Sequence, residues 1–147
     1  MDRSSPDPFS LQRFVAAQDR GDAYRHAVKE LMNNKKVTHW MWFVFPQISG
    51  LGRSVQATTF AISNLQEAKA YFEHPLLGTR LMTCTTLVAK MTPGSAQDVF
   101  GALDAVKLRS SMTLFHFAVV HEPLFQSVID RHFGGMLDDR TTQLLGL

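Results

Sequence analysis

Apolar positions recur along most of the chain at helical spacing. The clearest stripe is Tyr24, Ala27, Val28, Leu31 and Met32, which predicts a helix over residues 22–34 with Asp22 as its cap and Asn33-Asn34 as its stop. Ahead of it, Leu11, Phe14, Val15 and Gln18 predict a short helix over 10–20, capped by Ser10 and broken at Gly21. Residues 37–45 differ. Val37, Trp40, Trp42, Phe43, Val44 and Phe45 favour strands, yet no alternating partner strand occurs elsewhere. They read as one turn of helix or a buried extended segment ending at Pro46. Gly50 and Gly52 mark a loop, and residues 54–62 fit a short helix.

From there the pattern is helical to the end. Ser63 with Gln66, or Asn64 with Glu67, forms a capping box for a helix carrying Leu65, Ala68, Tyr71 and Phe72. His74-Pro75 ends it, and Pro75 suits the first position of the next helix, 75–91. Pro93-Gly94 is a turn, and Ser95 with Asp98 reads as a capping box for a short helix ending at Gly101. Asp104 is the expected cap of a long helix to residue 120. Further helices are predicted over 123–133, stopped by Gly134-Gly135, and over 139–145. The expected architecture is all-α: a flexible tail over 1–9, then one domain over 10–147 with about seven or eight short to medium helices and one irregular aromatic-rich segment.

Composition agrees with a packed domain. The 147 residues are 45% hydrophobic and 19% charged, and a chain of this length buries roughly 68–70% of its unfolded surface. One cysteine, Cys84, excludes an intramolecular disulfide and suggests a reducing cytoplasm. The first ten residues hold no apolar signal-peptide core, and no apolar run approaches the roughly 18 residues of a membrane helix. The net charge of +2 is spread out, with Lys35-Lys36 the one adjacent basic pair. That pattern disfavours nucleic acid, which selects basic stripes. With no heptad seam, a monomer or weak homodimer is expected.

Three groups carry candidate chemistry. The first is His39, Trp40 and Trp42 in the stretch KKVTHWMWFVFPQISGLGRS. Indole faces can hold a flat ligand and a neutral histidine can move protons, although dense aromatics more often mean core. If the segment is extended, Trp40 and Trp42 point to opposite sides, one to core and one to a pocket. The second group is Gln47, Gly50, Gly52, Arg53 and Ser54, a loop whose glycines permit close backbone approach and whose arginine and serine suit an anion. A bare turn is the plainer reading, since no dinucleotide fingerprint surrounds it. The third is Asp104, Lys107, Ser110 and Ser111 on one predicted helix. A lysine beside serines suggests a nucleophile with its base, but the spacing reverses the familiar Ser-Lys order, and a surface Asp104–Lys107 pair is the simpler account. Glu67, Tyr71 and His74 share a face without an HExxH or cysteine set, so neither metal nor cofactor is expected. His116 and His121 read as structural, and Cys84 as buried and inert.

The blocks FVAAQ, THWMWFVFPQISGLGRS, LQEAKAYFEHPLLGTRL and FGALDAVKLRSSMTLF occur in this order. Together they resemble domain-of-unknown-function family 1810 of bacterial and fungal proteins. The resemblance implies a small, mostly helical, stand-alone protein. Some members carry the label calpastatin, which this composition argues against: calpastatins are disordered, whereas this chain supports a core. Two functions compete. One is a hydrolase or transferase of a nucleotide-like, phosphorylated or carboxylated metabolite, with His39, Lys107 and Ser110 catalytic. The other is a non-catalytic metabolite-binding or protein-interaction domain. Both expect residues 39–54 to face the 104–115 helix across one pocket.

Overall fold

The computed structural model describes residues 6–147, so the first five residues of the expected tail lie outside the described residues. The rest of that segment is anchored. Asp7 accepts hydrogen bonds from the backbone N–H groups of Leu11 and Gln12 at 2.7 and 3.0 Å, and Phe9 packs against the core. Asp7 therefore holds the helix start assigned to Ser10, whose own φ is +54°.

Ten α-helical segments follow among the described residues: α1 Gln12–Asp19, α2 Ala23–Met32, α3 Met41–Val44, α4 Val55–Thr59, α5 Leu65–Glu73, α6 Pro75–Ala89, α7 Ala96–Phe100, α8 Ala102–Ala118, α9 Leu124–Phe133 and α10 Asp139–Leu144. The fold is all-α, and the number beyond eight comes from one-turn pieces such as α3, α4 and α7. No helix among the described residues is long and apolar enough to cross a membrane.

Several helix boundaries rest on other residues than the sequence suggested. Gly21 breaks the chain as expected with φ +59°, but Asp22 also takes a left-handed conformation and caps nothing with its side chain. Ser95 makes no capping bond and its hydroxyl is buried without a partner. Gly101, with φ +84°, turns the chain into α8, so this helix begins two residues before Asp104. Asn64 is the residue chosen at α5: its side chain accepts from the Glu67 N–H at 2.8 Å, and Glu67 returns bonds to the Ser63 N–H and hydroxyl. At the α5–α6 corner, His74 Nδ1 accepts from the N–H groups of Leu76 and Leu77, and Pro75 follows at the first helical position. The corner is tight because Gly78 has no side chain: a Cβ there would sit 1.8 Å from the Phe72 carbonyl oxygen.

α8 runs through the middle and packs against α5, α7, α9 and α10. An aromatic series crosses the core from α1 to α9: Phe14 to Tyr71 at 5.0 Å, Tyr71 to Phe115 at 5.6 Å, Phe115 to Phe125 at 5.6 Å. Each such pair adds about 0.5–1.5 kcal/mol beyond area burial. One polar knot inside this core fixes α3. The buried Gln18 amide donates to the Phe43 carbonyl at 2.8 Å and to the Tyr71 hydroxyl at 3.0 Å, and Tyr71 donates to the same carbonyl at 2.9 Å. That carbonyl lies in the last turn of α3, where no intrahelical partner exists. Burial pushes the Tyr71 hydroxyl well above the usual phenol range, so it stays a donor. Burial also lifts the Cys84 thiol to about 12, against the Arg80 charge, which leaves it unreactive.

Candidate functional site

Trp40, the residue before α3, and Trp42, within it, meet different surroundings. Trp40 is buried. Its indole N–H donates to Glu30 at 2.9 Å, its ring meets Phe45 and Phe100 at 6.1 and 6.2 Å, and the Lys36 ammonium sits 4.9 Å from its centre. It is a core residue, not a wall of a pocket. Trp42 is half-buried and lines a cavity of about 310 Å³.

Four segments complete that cavity, and α4 with the residue after it supplies Ala57 and Phe60. The loop after α3 supplies Gln47, Ile48, Leu51 and Gly52. It is held by a short parallel bridge: Ile62 N–H donates to the Gln47 carbonyl and Ser49 N–H to the Ile62 carbonyl, both at 2.8 Å. α8 supplies Leu103, Val106, Lys107 and Ser110, at i, i+3, i+4 and i+7, hence one face. The C-terminal segment supplies Asp138 and Arg140. That segment is pinned to α8: Arg109 donates to the carbonyls of Met136 and Leu137 at 2.6 and 2.9 Å, and the Asp138 N–H donates to the Thr113 hydroxyl at 2.9 Å.

The charged groups are unequally engaged. Lys107 Nζ lies 5.0 Å over the Trp42 ring and 3.4 Å from Asp104 Oδ1, with its side chain 31% exposed. The Arg140 guanidinium makes one long contact, 3.4 Å, to the Gly50 carbonyl. Asp138, by contrast, is occupied: Oδ2 takes the Ser110 hydroxyl at 3.1 Å, the Thr141 N–H at 3.1 Å and the Thr141 hydroxyl. The Ser110 hydroxyl also lies 3.1 Å from the Val106 carbonyl. Among the described residues no hydrogen bond joins Lys107 to Ser110, and the Gln47 amide has no hydrogen-bonded partner. The cavity is thus aromatic and aliphatic in its walls, with two cations and a free carboxamide turned to it.

This chain, from residue 8 to residue 145, matches the family model described as Protein of unknown function (DUF1810). The chain belongs to the DUF1810 family. Its fold is also similar to the crystal structure of the conserved hypothetical protein Rv1873 from Mycobacterium tuberculosis, with 48% sequence identity and a TM-score of 0.92 over 96% of this chain and 99% of that one. No curated protein matches it. In this DUF1810 chain, Trp42, Gln47, Gly52, Lys107 and Ser110 are brought together at the cavity.

Other expected site residues sit elsewhere. His39 is exposed and lines an adjoining hollow with Lys36 and Asp104. Ser111 is fully buried on the core side of α8, its hydroxyl without a partner, because one residue of helix turns it about 100° from Ser110. Ser54 caps α4 by accepting from the Ala57 N–H at 3.0 Å. Gly50, with φ +104°, lies against Leu144, and Arg53 is exposed outside the cavity. The Glu67, Tyr71 and His74 face is used structurally: Glu67 pairs with Arg13 at 2.8 Å, Tyr71 belongs to the Gln18 knot, and His74 caps α6. Sequence reasoning missed Leu103, Val106, Asp138 and Arg140. The first two were legible as the rest of the Lys107–Ser110 stripe. The last two carry no signal that the chain, 28 residues on, would bring Asp138 back to Ser110 and Arg140 to the cavity.

Proposed function

We propose that the cavity binds a small anionic metabolite bearing a flat ring, of nucleotide-like or phosphorylated or carboxylated type, and that it does so without catalysis. The observation that carries this reading is the placement of Lys107 over Trp42 in a cavity that Arg140 also lines. Trp42 and Phe60 offer ring faces, Gln47 offers a donor–acceptor pair to a ring edge, and the two cations suit a phosphate or carboxylate. The volume stands at the low end of ligand pockets, which favours a compact ligand. A hydrolase or transferase reading has less support. A serine nucleophile needs a base on its hydroxyl, and here Lys107 pairs with Asp104 while Ser110 is bonded to Asp138 and Val106.

The test is a ligand screen by tryptophan fluorescence and thermal shift, using nucleosides, nucleoside monophosphates and small phosphorylated or carboxylated metabolites. A ligand at 100 times its dissociation constant should stabilise the fold by about 2.7 kcal/mol. Trp42→Phe should abolish the emission change, leaving the Trp40 signal. Lys107→Ala should raise Kd by about ten- to a hundredfold while costing only about 0.3–0.5 kcal/mol of stability through its long, partly exposed ion pair. Silence across the anionic panel at millimolar concentration would remove the proposal.

A further inference from the structure

A second hollow, of about 390 Å³, borders the first. The two share Trp42, Leu103 and Lys107, so these side chains stand where they meet. The second hollow adds Lys36, His39 and Asp104. Its charges are arranged asymmetrically. Lys36, with only 6% of its side chain exposed, is saturated: its ammonium lies 2.8 Å from Asp104 Oδ2, donates to the Thr38 carbonyl at 2.6 Å, and covers Trp40. Lys107 holds the other Asp104 oxygen at the longer 3.4 Å and is five times more exposed than Lys36. One carboxylate thus serves two ammonium groups, firmly on one side and loosely on the other. If Lys107 swings away on its flexible stem, Asp104 keeps its partner and no buried charge is left alone.

We infer that the two hollows are one two-compartment site for a nucleoside diphosphate. This rests on the reading of the first cavity as an anion-and-ring site. The ring lies against Trp42 and Phe60. The first phosphate takes Lys107 in place of Asp104, and the second phosphate passes Leu103 into the hollow where His39 is exposed. His39 then contacts the ligand as a donor, not as an acid or base.

The experiment measures Kd by calorimetry, in magnesium-free buffer, for the four ribonucleoside monophosphates and the matching diphosphates, on the native chain and three variants. At least one diphosphate should bind about tenfold tighter than its monophosphate, the worth of one charge-assisted contact. His39→Ala should erase that gain and leave monophosphate binding unchanged. Arg140→Ala should weaken both ligands equally, and Lys107→Ala should weaken both strongly. Monophosphate binding with no gain for any diphosphate overturns the second compartment and leaves the first cavity standing. A gain that survives His39→Ala puts the second phosphate elsewhere and overturns the inference too. No binding of either series overturns the inference, while the reading of the first cavity stands or falls on the wider anionic panel.

Discussion

At the residue scale, the aromatic stretch divides between two tasks, and Glu30 decides the division. Its carboxylate accepts from the N–H groups of Val37 and Thr38, the Thr38 hydroxyl and the Trp40 indole. Burial alone would raise its pKa. The four donors outweigh that and hold it at about 2, against an ordinary 4.5. A carboxylate depressed in the fold stabilises fully above its ordinary value and loses that contribution as pH falls towards the folded one. Glu30→Ala should therefore cost about 2 kcal/mol near neutral pH, chiefly by orphaning the buried indole N–H. The gap between native chain and variant should be constant above pH 4.5 and narrow between 4.5 and 2. Urea unfolding at stepped pH measures it, and a gap that widens on acidification would contradict the assignment.

At the scale of elements, α8 organises the cavity. One of its faces lines the cavity through Lys107 and Ser110, while Arg109, Ser110 and Thr113 tether the segment that carries Arg140. Asp138 is the joint. Its carboxylate caps α10 through the Thr141 N–H and takes the Ser110 hydroxyl. Asp138→Ala removes a cap and leaves the buried Thr141 hydroxyl short of its acceptor, so the loss should be about 2 kcal/mol. Because α10 also presents Arg140, ligand affinity should fall with it. A variant as stable as the native chain would show that α10 is held by other contacts.

For the whole molecule, the buried hydrophobic side chains among the described residues form one cluster reaching from Leu11 to Ile129. A chain of 147 residues with a single core should unfold in one step. Far-ultraviolet dichroism and tryptophan fluorescence should therefore give coincident urea transitions. Trp40 lies in the α3–α7 region and the helical signal comes mostly from α5 to α9, so the two probes watch different parts of the fold. Separate midpoints would mean that the aromatic segment melts on its own.

The sequence by itself determined the helical class and most of the breaks, because helical periodicity and residues such as Gly21, Pro75 and Gly134 act over a single turn of chain. It also placed Lys107 and Ser110 with Gln47 and one of the two tryptophans, since both stretches join apolar surface to sparse polar groups. Which tryptophan faced the core was not legible. Tertiary structure decided it, by putting Glu30 at the Trp40 indole and leaving Trp42 over Lys107. The same holds for the caps. Ser10, Asp22 and Ser95 are suitable by type, but Asp7 took one role and backbone geometry removed the others. Asp138 and Arg140 reach the cavity only through long-range bonds to α8 and the Gly50 loop. Local patterns report what one turn of chain prefers; which distant partner satisfies a polar group depends on how the helices pack.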